Sequence, residues 1–287
     1  MAGGTAMVCV GRHQLAATVY GTGSPTVVIE PSFGGWARDW EKIAQRLAQE
    51  TAVITYDRAP YGASSPARDA RAPQEIAADL DGLLRALDVT GPVVLVGHSA
   101  GGIYVRAYAA AHMDRVAGMV LVESSHERQR RVLDPLRSRR VRLDMALTIP
   151  SILRRSRLKR RGGDRRSIIR EWRTFCQVTA GSAMLPAGAL GDRPLVVLTC
   201  GPDAGGPPDR PYRAWHDLHR DLSRLSANSR HVVSESSAHY LNDGDPELVI
   251  AAIRDVVRAA RDGAPLAEPA AAVVAAVAAV AAVADAE

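Results

Sequence analysis

The chain has 287 residues, 47% hydrophobic and 23% charged, the balance of a soluble globular protein with enough length for one large core or two small ones. Cys9, Cys176 and Cys200 are too few and too scattered for a disulfide framework or a zinc site. The net charge of +5 hides a strong asymmetry: His126 to Arg173 carries 17 lysines and arginines against 5 acidic residues, so the rest is mildly acidic.

The N-terminus, MAGGTAMVCVGRHQL, has no basic stretch followed by a long apolar one, so no signal peptide is expected and a cytoplasmic location follows. Met7–Val10 and Leu15–Tyr20 are β-prone runs around Gly11-Arg12 and predict a hairpin. Thr26–Glu30 reads as a buried strand, followed by the turn Pro31-Ser32-Phe33-Gly34-Gly35. From Trp36 to Gln49 the spacing of Trp40, Ile43 and Leu47 predicts a helix. Next come a strand at Ala52–Tyr56, a helix from about Gln74 to Leu87, a strand at Val93–Val96, a helix at Ala100–Ala111 and a strand at Met119–Val122. Strands and helices alternating in this way imply a mostly parallel sheet covered on both faces.

The alternation breaks between His126 and Leu190, where only Leu136, Leu143 and Leu147 suggest a helix. It resumes with a strand at Leu195–Thr199, a helix near Tyr212–Leu225, a strand at His231–Ser234 and a helix from Pro246, with Asp245 as its N-cap. The expected organisation is therefore a core of residues 1–125 and 191–262, a basic helical cap at 126–190, and an alanine-rich tail at 263–287. The apolar run Ala270–Ala284 is 15 residues long. A membrane span needs about 20, so the tail is read as a frayed or disordered segment, with a partner-docking helix as the alternative.

One motif carries chemistry. Gly97-His98-Ser99-Ala100-Gly101 matches G-x-S-x-G between an expected strand and an expected helix, the setting in which a sharp turn lifts a serine above the sheet. Serine needs a base, and His239 is placed for it, in the loop after the last strand. His216, His219 and His231 fall on a helix or in a strand and read as packed or surface residues. Two carboxylates lie between serine and histidine at strand ends, Glu123 and Asp203, and either suits the acid that orients the imidazole. The anion of a tetrahedral intermediate needs two amide donors. Ala100 is one candidate and Phe33 the other, with Ser32 in reserve.

The turn Glu30-Pro31-Ser32-Phe33-Gly34-Gly35, the segment Tyr56-Asp57-Arg58-Ala59-Pro60-Tyr61-Gly62 and the elbow Val96–Gly102 together resemble the α/β-hydrolase fold superfamily, most of all its bacterial serine hydrolase and esterase-like members, over about residues 7–262. The resemblance implies a mostly parallel central sheet flanked by helices, with a helical cap inserted between two strands. It also implies an acyl-enzyme on Ser99, with His239 as base and then acid. Esters, thioesters, lactones and amides fit, and neither a metal nor an organic cofactor is needed.

The chain departs from the common pattern in three places. Glu30-Pro31 stands where many relatives have His-Gly, Ala238 where many have Gly, and Asp203 follows Gly201 by two residues rather than three. The last departure tips the acid toward Glu123, although many relatives carry a non-catalytic aspartate there. Ser99 argues against epoxide hydrolases and dehalogenases, which use an aspartate nucleophile. The alternatives are an acyltransferase or perhydrolase on the same residues, or a non-catalytic ligand-binding member of the fold. The expected partner is a small acyl substrate, anionic if the arginine-rich cap attracts charge rather than forming a solvated face. No nucleic-acid motif is present.

Overall fold

The computed structural model describes residues 4–67, 69–137, 165–181, 184–202, 209–236 and 238–267. Eight strands form one sheet: β1 (Ala6–Val10), β2 (His13–Tyr20), β3 (Thr26–Glu30), β4 (Val53–Tyr56), β5 (Val93–His98), β6 (Val116–Val122), β7 (Leu195–Thr199) and β8 (Ser229–Val233). Their spatial order is β1-β2-β4-β3-β5-β6-β7-β8. The β1–β2 hairpin and the β2–β4 pair are antiparallel, and all other neighbours are parallel. From β3 the chain steps to β4 on one side and later to β5 on the other. That reversal opens a crevice at the carboxyl ends of β3 and β5, where ligands bind in open α/β sheets.

Side-chain alternation divides the core into two layers. Val27, Ile29, Val94, Val96, Val120 and Val122 face one way, packed with residues of α1 (Glu41–Leu47) and of α8 (Pro246–Asp262). Val28, Leu95, Met119, Leu121 and Val197 face the other, under α2 (Pro73–Ala86), α3 (Ala100–Ala111) and α6 (Arg210–Ser223). Because both faces are covered, β5 is buried at every position, which is why its sequence reads as an apolar run rather than an alternation.

Several boundaries differ from the sequence expectation, and three of the differences have a clear physical reason. The segment expected as one helix from Trp36 begins as a 3-10 turn, Ala37–Trp40, before α1. Asp39 accepts from the Trp36 amide (2.9 Å) and Asp57 from the Ala37 amide (3.0 Å), fixing a tighter first turn. Strand β6 starts three residues earlier than its apolar signal, because Gly118 interrupts the pattern. A β-carbon there would lie 2.6 Å from Val256 of α8. Edge strand β8 opens on the polar Ser229 and Arg230, which hid its first residues. The N-cap of α8 is as expected, with Asp245 accepting from the Leu248 amide at 3.3 Å.

Between β6 and β7 the described residues include α4 (Gln129–Leu133) and α5 (Arg165–Val178). Leu136 lies in the turn after α4, its amide bonded to the Leu133 carbonyl. Leu143, Leu147, Asp203 and the tail from 268 lie outside the described residues. Helix α5 rests on the core through Ile168 and Phe175, and Ser167 and Thr174 donate to the carbonyls of Ala67 and Arg71. The short α7 (Leu241–Gly244) precedes α8. Among the described residues no helix is long and apolar enough to cross a membrane.

Candidate active site

Ser99 makes the whole turn between β5 and α3, at φ 52° and ψ −118°. A β-carbon resists such a conformation, and it persists only where the surroundings hold it. The Ser99 amide donates to Val122 O (3.0 Å), and its carbonyl accepts from the Ser125 amide (2.9 Å). The motif glycines are required by distance. A β-carbon on Gly97 would lie 2.7 Å from Gly102 Cα, and one on Gly101 would lie 2.2 Å from the Glu30 carbonyl oxygen. The first turn of α3 is thus pressed against the turn after β3.

The structure brings three of the sequence candidates together. His239 Nε2 is 3.2 Å from Ser99 Oγ, and His239 Nδ1 is 3.0 Å from Glu123 Oε2. With Nδ1–H donating to the carboxylate, Nε2 is left as the acceptor for the serine hydroxyl. Glu123 directly follows β6, also at positive φ (45°). It is almost fully buried, and burial pushes its pKa up. The hydrogen bond from His239, the fields of the nearby His219 and His239 rings and the Cys200 amide at 2.8 Å more than offset that, bringing it down to about 2. Trp215 Nε1 donates to both Glu123 oxygens at 3.2 Å. His98, the residue before the serine, donates from Nε2 to the His239 carbonyl (3.0 Å) and so ties the loop to β5. Burial and the nearby His239 lower the His98 pKa to about 3, so this ring is neutral at ordinary pH.

Ala100 is fully buried at the start of α3, and Phe33 lies in the facing turn. The Phe33 ring packs against Trp172 of α5 at 5.3 Å and Tyr61 at 6.1 Å. The unusual Glu30 is explained by what lies beneath it. Its carboxylate accepts from Tyr56 Oη and Arg58 Nη1. Tyr56 and Arg58 belong to the second sequence motif. Asp57 between them accepts from the amides of Ala37 (3.0 Å) and Ala63 (2.8 Å). The two motifs are therefore one structure, a polar foundation under the turn that carries Phe33.

Several contributors were not anticipated. Trp215 and His219 come from α6. His219, a packed or surface residue on sequence grounds, is fully buried beside the acid, with Nδ1 4.0 Å from Glu123 Oε1. It donates from Nε2 to Ser124 O (2.9 Å). Its Nδ1 therefore accepts from Thr199 Oγ1 (2.6 Å), which in turn contacts His231 Nε2 (2.6 Å). The spacing of Trp215 and His219, one turn apart on a helix following Asp203, was the available signal. His216 packs against His231 with ring centroids 4.6 Å apart and the planes tilted by 51°.

Among the described residues, His13, Asp69 and Asp79 have metal-ligand composition, with atoms within 4.8 Å of one another. The Arg71 guanidinium already pairs with both carboxylates, at 2.7 Å to Asp79 and 3.4 Å to Asp69, and supplies the cation there.

Fold and geometry define a doubly covered, mostly parallel sheet that presents a strained serine, a histidine and a buried carboxylate at its carboxyl edge. A family model described as the alpha/beta hydrolase fold matches residues 25–155. An uncharacterized protein of Bacillus subtilis, YqjL, is 27% identical over 249 residues, covering 86% of this chain and 89% of that protein. The lipase LipV of Mycobacterium tuberculosis is 36% identical over 118 residues, 40% of this chain and 41% of the lipase. A thermophilic esterase of Thermogutta terrifontis superposes with a TM-score of 0.63 at 24% identity, covering 90% of this chain and 99% of the esterase. Some other curated relatives are far longer, and the chain spans less than a fifth of them. The fold of the chain is the α/β-hydrolase fold.

Proposed function

We propose that this chain is a serine hydrolase that cleaves an ester-type acyl bond through an acyl-enzyme on Ser99. Hydrolase chemistry in general is supported by the family and by its relatives. The observation that carries the finer reading is the unbroken contact Ser99 Oγ–His239 Nε2 and His239 Nδ1–Glu123 Oε2, at 3.2 and 3.0 Å. Ser99 Oγ attacks the carbonyl carbon as its proton passes to His239 Nε2. The tetrahedral oxyanion is received by the amides of Ala100 and Phe33. Collapse expels the leaving group, which takes the proton from His239 and leaves acyl-Ser99. Water then attacks, giving one proton to His239. The carboxylic acid departs as Ser99 is reprotonated. Glu123 stays ionised throughout and stabilises the imidazolium.

Residues 126–190 act as the cap over this site. The substrate is a small acyl compound, with Phe33 and Trp172 offering an apolar wall beside the carbonyl. Of the described cap arginines, Arg128 pairs with Asp221 and Arg130 with Asp134, which favours a solvated basic face over an anion trap. The test is hydrolysis of p-nitrophenyl esters of increasing acyl length by the wild type and by Ser99→Ala. Turnover by the wild type and a roughly million-fold loss in the variant are expected. Turnover that survives Ser99→Ala would remove the nucleophile assignment.

A further inference from the structure

Arg58 is 1% exposed, and its two terminal nitrogens are fully committed. Nη1 donates to Glu30 Oε1 and to the carbonyl of Pro31 (3.1 Å). Nη2 donates to the carbonyl of Ser32 (3.2 Å) and to Glu171 Oε1 (2.7 Å). Four N–H groups thus meet two carboxylates and two backbone carbonyls, the full donor count of those two nitrogens. Glu30 and Glu171 are both fully buried. Glu30 is the last residue of β3. Glu171 comes from α5, far along the chain, and takes a further hydrogen bond from Tyr104 Oη of α3 (3.0 Å).

The two carbonyls are those that set the direction of the turn after β3. In a trans peptide the C=O and the following N–H point in opposite directions. With Pro31 O and Ser32 O drawn down to Arg58, the amides of Ser32 and Phe33 are aimed the other way. Ser32 O is fixed further by the Gly35 amide at 3.0 Å. The residue after Glu171 reaches the same turn from another direction, since the Trp172 ring lies on Phe33.

We infer that Arg58 is the positioning residue of the oxyanion turn and that Glu171 of α5 holds it in place, so that seating α5 on the core and aiming the Phe33 amide are one event. The inference rests on the hydrolase reading above. Without the Glu171 charge the guanidinium keeps Glu30 as its one carboxylate partner, on Nη1, and Nη2 is held only by the Ser32 carbonyl it is meant to restrain. The consequence falls on the transition state, because the amide meets a full oxyanion only there.

The test compares wild type, Glu171→Gln, Arg58→Lys and the double variant. For each, kcat and KM are measured on a p-nitrophenyl ester, together with the rate at which a fluorophosphonate labels Ser99. Near-UV circular dichroism checks the fold. In Glu171→Gln, kcat is expected to fall about 10- to 100-fold with KM within about twofold, and labelling to slow in proportion. A whole oxyanion donor is worth about 10²–10³ in kcat, and a misdirected one less. Arg58→Lys is expected to fall further, and the double variant to be no slower than Arg58→Lys alone, because Glu171 acts through Arg58. Glu171→Asp keeps the charge and shortens the reach, and gives the same loss in kcat should Glu171→Gln fail to fold.

A folded Glu171 variant with wild-type kcat overturns the inference, as does one that changes KM alone, or losses that simply multiply in the double variant. A wild type that is labelled and turns over confines any such failure to this inference. A wild type that is neither labelled nor active overturns the hydrolase reading and the inference with it.

Discussion

Two buried ions flank Ser99, and they are stabilised by opposite means. On the histidine side the ion is an anion, Glu123, held mainly by neutral donors: the Cys200 amide, the Trp215 indole and the ring of His239. On the oxyanion side it is a cation, Arg58, held by two carboxylates and two carbonyls. A buried charge needs partners in either case. Dipoles from the end of β7, from α6 and from the His239 loop hold the carboxylate, so that on the proposed mechanism Glu123 is free to stabilise a transient imidazolium. An ion triad is stiffer, and losing one member leaves a buried charge exposed to the full desolvation cost. The histidine side is thus suited to a charge that comes and goes, and the other side to a backbone shape that must not move.

The sharpest way to break this comparison is to remove the anion. Glu123→Gln keeps the shape and the Cys200 contact but lets the imidazole adopt the wrong tautomer. We expect kcat to fall about 10³–10⁴-fold with folding intact. Asp203→Asn, measured beside it, should stay within about threefold of wild type. If Asp203→Asn loses as much and Glu123→Gln does not, the acid is the loop aspartate and Glu123 is a structural carboxylate.

Acid separates the two sides by stability. His98 and His219 are buried, and burial is the main cause of their low pKa values, about 3 and about 4. The unfolded chain protonates these rings as pH falls through about 6.5, whereas the folded chain resists until near 4 and 3. Their contribution is therefore fully present above about pH 6.5 and is lost on the way down, at about 2 kcal/mol for each ring between pH 7 and 5. Urea titrations at those two pH values should show the drop. His219→Gln should remove part of the slope, and an unchanged slope would mean that His219 is charged in the fold. Arg58 does not titrate in this range.

How much of this was legible in the sequence follows from where each signal sits. Ser99 lay in a contiguous motif whose glycines are required by backbone approach, and His239 followed from chain order. Glu123 is favoured over Asp203 in the sequence only by a one-residue difference in spacing, because both are expected at strand ends and sequence does not say which reaches the imidazole. Arg58 and Glu30 were both within quoted motifs, but their pairing spans two loops. Glu171 had no local mark at all. It is one of five acids in an arginine-rich stretch, and only the docking of α5 on α3 and the Glu30 turn gives it meaning. Sheet order was implied by alternation, whereas the early start of β6 was masked by Gly118, a residue chosen for contact with α8.

The smallest effect probes the weakest link on the histidine side. Trp215 Nε1 reaches both Glu123 oxygens at 3.2 Å, a long, shared hydrogen bond. Trp215→Phe deletes the donor and keeps an aromatic ring in contact with His219, whose centroid is now 4.4 Å from the indole. Glu123 retains Cys200 and His239, so it is not left unpartnered, and the loss should be about 1 kcal/mol, below the usual range for a hydrogen bond to a charge. That corresponds to roughly a fivefold fall in kcat/KM. The comparison gives the sign of the accompanying change: Ser99 labelling should slow in step, because the imidazolium is less well stabilised, while KM stays near wild type. If instead the melting temperature drops and kcat/KM does not, Trp215 packs α6 against the core and the carboxylate is held by Cys200 and His239 alone.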